Sequence, residues 1–362
     1  MICESISFTN FRNIPSAEIS FSPGTNLLFG HNAEGKTNAL EGISLFSAGR
    51  SFRGARDKEL IRFGQEAAVL KLRFCDQNRR HELEIRYAAD GRKILRKNGV
   101  VIKRLSEFVG LFRAVVFCPQ HLSLVREGPA IRRAFLDSAI TPLSPAYMRA
   151  LQRYAAVLSQ RNALLKGYRT SPAVFHQTAE IWSAELAELS ERIARTRAEY
   201  AHRLDSAVKE IFSDMTGGSE LPVLDYSPPK SREEYFRQLT ENTDHELKMG
   251  TTLYGIHRDD LAISLNGRPA KQFASQGQQR SLALAMKMAE SELSRRLTGE
   301  YPVLLLDDIL SELDEGRQRY VLGGIGHMQA IITSCDPGVT SAAGCAWQVQ
   351  NGQYTRQSGG ND

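Results

Sequence analysis

A glycine-rich segment near the start of the chain has the residue types and spacing of a phosphate-binding loop. Residues 30–37 read Gly30-His31-Asn32-Ala33-Glu34-Gly35-Lys36-Thr37 and fit the pattern GxxxxGK[ST]. The glycines allow backbone N–H groups to surround a β-phosphate at the positive end of the following helix. Lys36 would bridge the β- and γ-phosphates, and Thr37 would bind Mg²⁺. The segment predicts a nucleoside triphosphate site, with a glycine turn and a surface lysine as the alternative.

A second segment could complete this site. Residues 303–306 are apolar, as in a buried strand, and run into Asp307 and Asp308. Asp307 would hold Mg²⁺ through water, and Asp308 would orient or deprotonate the attacking water. Adjacent carboxylates repel each other, which raises one of their pKa values unless a metal is bound. The alternative is a buried strand that leads into an acidic turn.

A third segment lies between these two in the chain. Ser275-Gln276-Gly277-Gln278 precedes a long amphipathic pattern at residues 281–297, and a serine and a glycine at a helix start form an anion-binding N-terminus. An ordinary polar helix cap is the alternative. The order of the three segments, with the acidic turn Ser311-Glu312-Leu313-Asp314 after them, resembles the ABC ATPase class. This resemblance implies ATP as the nucleotide and a head-to-tail homodimer, in which the signature serine of one subunit contacts the γ-phosphate held by the other.

The elements that must position these segments change character along the chain. Alternating or short apolar patterns predict strands at residues 2–8, 17–21, 26–29, 68–74, 81–87 and 115–117. Helical spacing predominates at residues 131–215, where residues 147–167 and 181–212 predict two antiparallel helices. Further strands are predicted at residues 260–265, 303–306 and 330–333. The sequence predicts an α/β head with mixed sheets, residues 1–122 and 253–362, interrupted by an α-helical arm, residues 123–252.

Composition limits the cellular setting and the partners. The longest apolar runs fall short of a membrane span, and the N-terminus lacks the pattern of a secretion signal. The five cysteines are scattered without a CxxC pair, which argues against a disulfide framework or a zinc site. The net charge of +5 is compatible with a polyanionic partner but does not demand one. These features predict a cytoplasmic protein without a membrane partner.

Several further motifs resemble the RecF family of this class, over essentially the whole chain. They are Asn10-Phe11-Arg12-Asn13, Phe117-Cys118-Pro119-Gln120-His121-Leu122, Arg132-Arg133 with Phe135-Leu136-Asp137, Gln160-Arg161-Asn162-Ala163-Leu164-Leu165-Lys166, and Gly255-Ile256-His257-Arg258-Asp259-Asp260. The resemblance implies ATP-dependent binding of duplex DNA near single-strand gaps, in recombinational repair and replication-fork maintenance. It further implies RecO and RecR as partners in recombinase loading.

The resemblance also suggests roles for single residues, with departures from the class pattern. Gln120 would sense the γ-phosphate, and Arg12 could reach the nucleotide phosphates, although an exposed N-terminal turn is equally compatible with the sequence. Asp308 stands where ABC ATPases usually have glutamate, and Cys335 stands where a switch histidine is expected. Both departures predict slow hydrolysis that acts as a conformational switch.

Two other functions are compatible with the same loop. A small-molecule phosphotransferase would need a substrate pocket but no signature segment. An interaction protein could use ATP to lock its structure without turnover, and Asp308 in place of glutamate is the best support for this possibility.

Overall fold

The computed structural model describes residues 1–336 and 344–357. The strands are β1 (Ile2–Phe11), β2 (Ile14–Ser20), β3 (Thr25–Phe29), β4 (Ala67–Cys75), β5 (Arg80–Ala88), β6 (Lys93–Lys97), β7 (Val100–Ile102), β8 (Ala114–Phe117), β9 (Pro222–Tyr226), β10 (Leu261–Leu265), β11 (Arg268–Pro269), β12 (Val303–Asp307), β13 (Ala330–Ser334), β14 (Cys345–Gln350) and β15 (Gln353–Gln357). The helices are α1 (Lys36–Ala48), α2 (Leu105–Phe108), α3 (Pro129–Ile140), α4 (Pro145–Gly167), α5 (Pro172–Thr216), α6 (Arg232–Glu241), α7 (Thr243–Met249), α8 (Ala270–Phe273), α9 (Gln276–Thr298) and α10 (Glu315–Gly324). The predicted α/β head with mixed sheets and a helical arm is confirmed.

The N-terminal half of the head is an antiparallel sheet with the order β2-β1-β4-β5-β6-β7. On β4, Leu70, Leu72 and Phe74 are buried and alternate with the exposed Lys71 and Arg73. This is the alternation expected when one face of an antiparallel sheet packs on a core and the other meets water. The buried face packs against α1, whose Leu40 and Ile43 belong to the same hydrophobic core.

The second sheet of the head has the order β15-β14-β3-β13-β12-β8. Every adjacent pair of strands from β14 to β8 is parallel. The edge strand β15 pairs antiparallel with β14. The residues of β12 and β13 are all buried, which explains the unbroken apolar runs at residues 303–306 and 330–332. Because the carboxyl ends of parallel strands share one edge, residues that follow β3, β8, β12 and β13 meet at that edge.

The arm is dominated by the antiparallel pair α4 and α5. α5 begins at Pro172 rather than at the predicted residue 181, because proline is well accommodated in the first helical turn. Its 45 residues give a length of about 68 Å. No helix within residues 1–336 and 344–357 combines the length and the apolar character needed to cross a bilayer.

Near residue 252, where the sequence predicts the boundary, the arm and the head are joined by a common sheet and a common hydrophobic core. β9, which lies in the predicted arm, pairs with β10 of the predicted head in a three-stranded sheet. One hydrophobic core also contains Leu204 and Phe212 of α5 together with Leu282 and Met286 of α9. The long arm helix is therefore packed directly against the helix that follows the signature segment.

Candidate nucleotide-binding site

The phosphate-loop segment connects β3 to α1 and has a backbone that depends on its glycines. Gly30 and Gly35 have φ angles of 155° and 119°. A Cβ atom on Gly30 would lie 2.2 Å from the carbonyl oxygen of Val349, so this position excludes a side chain. Within the described residues no side chain caps α1, which leaves its first N–H groups available to an anion.

Lys36 lies across the loop that precedes it. Its Nζ donates to the carbonyl oxygens of Gly30, at 2.6 Å, and His31, at 2.8 Å, and to the Sγ of Cys335, at 3.3 Å. The Cys335 thiol in turn donates to Asn32 Oδ1 at 2.9 Å. Lys36 is only 6% exposed, and a buried ammonium favours an anionic partner. The geometry is therefore suited to a phosphate.

Thr37 and Asp307 meet in the candidate metal position. The Thr37 hydroxyl donates to Asp307 Oδ1 at 2.8 Å, and the hydroxyl of Thr333, at the end of β13, donates to the same oxygen at 3.0 Å. Hydroxyl and carboxylate oxygens are the hard ligands that Mg²⁺ prefers. The residues present thus fit the ion, with Thr37 and Asp307 as the side chains that would hold it. Thr333 was not predicted from the sequence.

Asp308 follows β12 in a left-handed conformation, with a φ of 50°. Its backbone N–H donates to the Thr333 hydroxyl at 2.9 Å, which fixes the turn. Burial raises the pKa of Asp308 above its ordinary value; the charge of Lys36 opposes this effect and the charge of Asp307 adds to it. The repulsion that the sequence predicts is present, but burial is the larger cause of the raised pKa.

The signature segment forms a capped helix N-terminus. The Ser275 hydroxyl accepts from the N–H of Gln278 at 3.2 Å, and the Gln278 side chain accepts from the N–H of Ser275 at 2.6 Å. Gln276 begins α9. Arg317 of α10 donates to the Gly277 carbonyl at 2.9 Å, an interaction that the sequence did not predict. The helix start is thus held rigidly by reciprocal capping and by a neighbouring arginine.

The acidic turn after Asp308 is held against α9, the helix that begins in the signature segment. The Ser311 hydroxyl donates to the Asp308 carbonyl at 2.8 Å, and Arg280 of α9 donates to the Glu312 carbonyl at 2.8 Å. However, no hydrogen bond or ion pair in the described part of the chain connects residues 275–278 with residues 30–37. Each half-site is formed, and no such contact joins the two among the residues that the structure describes.

Gln120 lies after β8, at the same sheet edge as Asp307. The residues from Pro119 to Ser123 form a 3-10 turn in which the Gln120 backbone carbonyl accepts from the Ser123 hydroxyl at 2.8 Å. The Gln120 side chain is exposed. A role for it as a γ-phosphate sensor stays a prediction.

Arg12 is engaged by a carboxylate rather than free at the loop. Its guanidinium donates to both oxygens of the buried Glu41, at 2.9 and 2.8 Å, and to the Glu59 carbonyl at 3.0 Å. The neighbouring Asn13 reaches the phosphate loop instead and donates to the Ala33 carbonyl at 3.3 Å. A contact of Arg12 with nucleotide phosphates stays a prediction, and Asn13 is the nearer of the two.

The hairpin of β14 and β15 supports the loop from outside, and sequence reasoning did not predict either strand. The N–H of Gly352 donates to the Glu34 carbonyl at 2.8 Å, and the N–H of Asn351 donates to the Glu34 carboxylate. The Tyr354 hydroxyl donates to the Gly35 carbonyl at 2.9 Å. These contacts hold the residues just before Lys36 in position.

Replacing Tyr354 by phenylalanine is expected to weaken ATP and ADP binding about equally. The lost hydrogen bond contributes about 1 kcal/mol, which corresponds to roughly fivefold in affinity, and the loop around Gly35 is predicted to meet the β-phosphate that both nucleotides share. Titration calorimetry measures the effect. Tyr320→Phe is the matched control, because the Tyr320 hydroxyl donates to the backbone carbonyl of Ile211 away from the loop. Equal affinities in Tyr354→Phe and the unmodified protein would contradict this role.

The fold and the two half-sites define an ATPase head of the ABC/SMC class. The family model of the RecF/RecN/SMC N terminal domain matches residues 2–357. The DNA replication and repair protein RecF of Acetivibrio thermocellus is 39% identical over 346 residues, which cover 93% of this chain and 94% of that protein. That of Thermoanaerobacter pseudethanolicus is 36% identical and covers 99% of this chain and 100% of that protein. The chain belongs to the RecF family of DNA replication and repair proteins.

Solved structures agree with this assignment. The recombination mediator protein RecF of the RecFOR pathway, solved as a complex with ATPrS, superimposes with a TM-score of 0.92 at 32% identity and covers 99% of this chain and 98% of that one. The Smc head domain of Pyrococcus furiosus shares the fold, with a TM-score of 0.57 at 17% identity, over 98% of this chain and 96% of that one. The resemblance predicted from the sequence motifs is confirmed.

Proposed function

We propose that this protein is an ATP-dependent DNA-binding protein of recombinational repair and replication-fork maintenance. ATP joins two copies head to tail, so that the phosphate loop of each copy faces the signature helix of the other. The single observation that carries this proposal is that both half-sites are formed while no hydrogen bond or ion pair joins them within the described part of one chain. Lys36 is buried across the phosphate loop, and the start of α9 is held by reciprocal capping between Ser275 and Gln278.

The residues of the composite site have distinct tasks. Lys36 neutralises charge on the β- and γ-phosphates of ATP, while Thr37, together with Asp307 through water, would hold Mg²⁺. When bound, the ion neutralises charge on the phosphate oxygens. Asp308 orients the attacking water and accepts its proton, and Gln120 reports whether the γ-phosphate is present. Hydrolysis removes the γ-phosphate that Ser275 of the second copy contacts, and the dimer then opens.

The proposed partners are duplex and gapped DNA and the proteins RecO and RecR. Joining two copies of a chain with a net charge of +5 concentrates basic surface around one groove. Each phosphate that is neutralised steepens the dependence of binding on salt. The relative solved with ATPrS is described as a recombination mediator of the RecFOR pathway, which supports RecO and RecR as partners in recombinase loading. Specificity for DNA structure rather than sequence is expected.

Sedimentation velocity with ADP, ATP and a non-hydrolysable analogue, each with and without gapped duplex DNA, tests the proposal. We expect a monomer with ADP and a dimer with ATP or the analogue, and we expect DNA to co-sediment with the dimer. An association state that does not respond to the triphosphate would exclude the clamp even if ATP still binds.

A second candidate is an ATP-locked interaction protein without meaningful turnover. Asp308 favours it, because an aspartate is one methylene shorter than the glutamate usual in this class and reaches less far toward a water. Phosphate release with and without duplex DNA separates the two functions. Phosphate release that DNA stimulates supports the ATP-dependent DNA-binding protein. Phosphate release no faster than the spontaneous hydrolysis of ATP, with and without DNA, supports the ATP-locked interaction protein.

The raised pKa of Asp308 predicts that this carboxyl titrates at a higher pH than an ordinary aspartate, with a pKa of about 3.9, in the protein without nucleotide or metal. Burial disfavours the ionised form, so Asp308 binds its proton as the pH falls through this raised pKa. NMR of the side-chain carboxyl carbons measures the titration, and the loss of one signal in Asp308→Asn identifies it. Titration of that signal at or below the ordinary value would contradict the prediction.

A further inference from the structure

A cavity of about 540 Å³ lies between the head and the arm. The end of α1, the start of α2 and the segment before β10 form its head side, and α3, α4 and α5 form its arm side. None of residues 30–37, 275–278, 307 and 308 lines it. Its volume falls in the range of roughly 300–1,000 Å³ that is typical of small-molecule sites.

Two sequence motifs that the nucleotide site does not use meet in this cavity. The motif on α3 contributes Arg133, Ala134 and Asp137, and the motif before β10 contributes Ile256 and His257. These motifs lie more than a hundred residues apart in the chain. Their convergence on one cavity gives them a shared location that is separate from the phosphate loop.

The floor of the cavity is a preformed polar network. The Tyr154 hydroxyl donates to His257 Nδ1 across 2.6 Å, and His257 Nε2 donates to the Thr252 carbonyl across 3.1 Å. Burial lowers the pKa of His257, which favours the neutral ring in which Nδ1 accepts and Nε2–H donates. Arg197 pairs with Asp137 at 2.8 Å and donates to the Ile256 carbonyl at 3.0 Å. The charge of Asp137 is therefore already balanced.

The walls are apolar and the rim is cationic. Leu105, Met148, Leu151 and Leu158 contribute to the walls. At the rim, Arg133 uses one guanidinium nitrogen to donate to the Asp259 carbonyl at 2.6 Å. The other nitrogens of Arg133, and the exposed Arg50, make no hydrogen bond or ion pair within residues 1–336 and 344–357. The cavity thus offers apolar surface and guanidinium donors, without an unbalanced carboxylate.

We infer that this cavity binds a small amphiphilic anion, with an aromatic or branched aliphatic body against the leucines and one carboxylate, sulfonate or phosphate group held by Arg133 and Arg50. Guanidinium groups with open donors suit such an oxyanion. The bound molecule contacts both the head and the arm, and it raises the thermal stability of the protein because it binds only the folded chain.

The test uses the full chain and the fluorescent probe 8-anilinonaphthalene-1-sulfonate, which has an aromatic body and one sulfonate. We expect saturable binding of one probe per chain, together with an increase in Tm. Arg133→Ala should weaken binding roughly tenfold or more, as expected for a charge-assisted hydrogen bond. Ala134→Trp should abolish binding, because the indole fills the cavity from an exposed position on α3. The uncharged analogue N-phenyl-1-naphthylamine lacks the sulfonate. It should bind to the unmodified protein no more tightly than the probe binds to Arg133→Ala.

Matched variants control for general surface effects. Ala156→Trp and Arg149→Ala alter exposed positions of α4 outside the cavity, and both should bind the probe as the unmodified protein does. Circular dichroism and ATP binding verify that every variant is folded. Absence of saturable binding, or binding that Ala134→Trp leaves unchanged, would overturn the inference. Displacement of the probe by ATP would assign it to the nucleotide site and would equally overturn the inference.

Discussion

Replacement of Ser275 by arginine is expected to abolish ATP-dependent dimerisation while each monomer still binds ATP. Ser275 caps α9 through the N–H of Gln278, and arginine removes this cap, places a positive charge at a helix N-terminus and fills the space that a γ-phosphate would enter. We expect a loss of about 3 kcal/mol or more, or at least roughly 100-fold, in dimer affinity. Light scattering measures the dimer, and a fluorescent ATP analogue measures nucleotide binding.

The control for Ser275→Arg is another serine in the same structural role. Ser231 caps α6 with the same reciprocal hydrogen bonds, to Glu234 in place of Gln278. Ser231→Arg should therefore cost similar helix stability and leave dimerisation intact. Mixing Ser275→Arg with Lys36→Ala subunits should restore partial association, because a mixed dimer has one intact composite site. If Ser275→Arg alone associates as the unmodified protein does, the head-to-tail arrangement is wrong.

Alkylation of Cys335 with N-ethylmaleimide is expected to lower the affinity for ATP. The expected loss of binding free energy is at least that of one charge-assisted hydrogen bond, about 1.5–3 kcal/mol. The Cys335 Sγ lies 3.3 Å from Lys36 Nζ and donates to Asn32 Oδ1. A maleimide adduct on this sulfur therefore lies at the phosphate loop and competes with the phosphates for Lys36. Mass spectrometry maps the adduct, and titration calorimetry measures ATP affinity.

The reaction should be selective because the cysteines differ in exposure. Cys335 is exposed, whereas Cys3, Cys118 and Cys345 are buried. Burial raises the pKa of Cys118 to about 11 and raises that of Cys3 further, and both shifts reduce the reactive thiolate. Bound ATP should protect Cys335. Cys335→Ser should bind ATP and resist the reagent, which separates this effect from any reaction at the partly exposed Cys75. Normal ATP affinity in protein carrying an adduct on Cys335 would refute the prediction.

Local segments of the chain determined much of the nucleotide site. Gly30 and Gly35 specify the backbone of the phosphate loop, because only glycine adopts their φ angles beside neighbouring backbone without strain. The apolar run before Asp307 specifies a buried strand, since its residues cannot alternate between core and water. The serine start of α9 specifies a cap through bonds within four residues. Such features depend on residues that are close together in the chain, so they can be predicted without knowledge of the fold.

Only the tertiary structure decided which distant side chains complete these segments. Thr333 reaches Asp307 and Tyr354 reaches Gly35 because the strand order brings β13 beside β12 and brings the β14–β15 hairpin beside β3. Arg12, which the sequence suggested for phosphate contact, is held by Glu41 because α1 packs under β1. Periodicity assigns a residue to a face of an element, but the choice of neighbour across that face depends on how the sheets assemble. The same assembly gives Ser275 and Lys36 separate sets of hydrogen-bond partners within the described part of one chain.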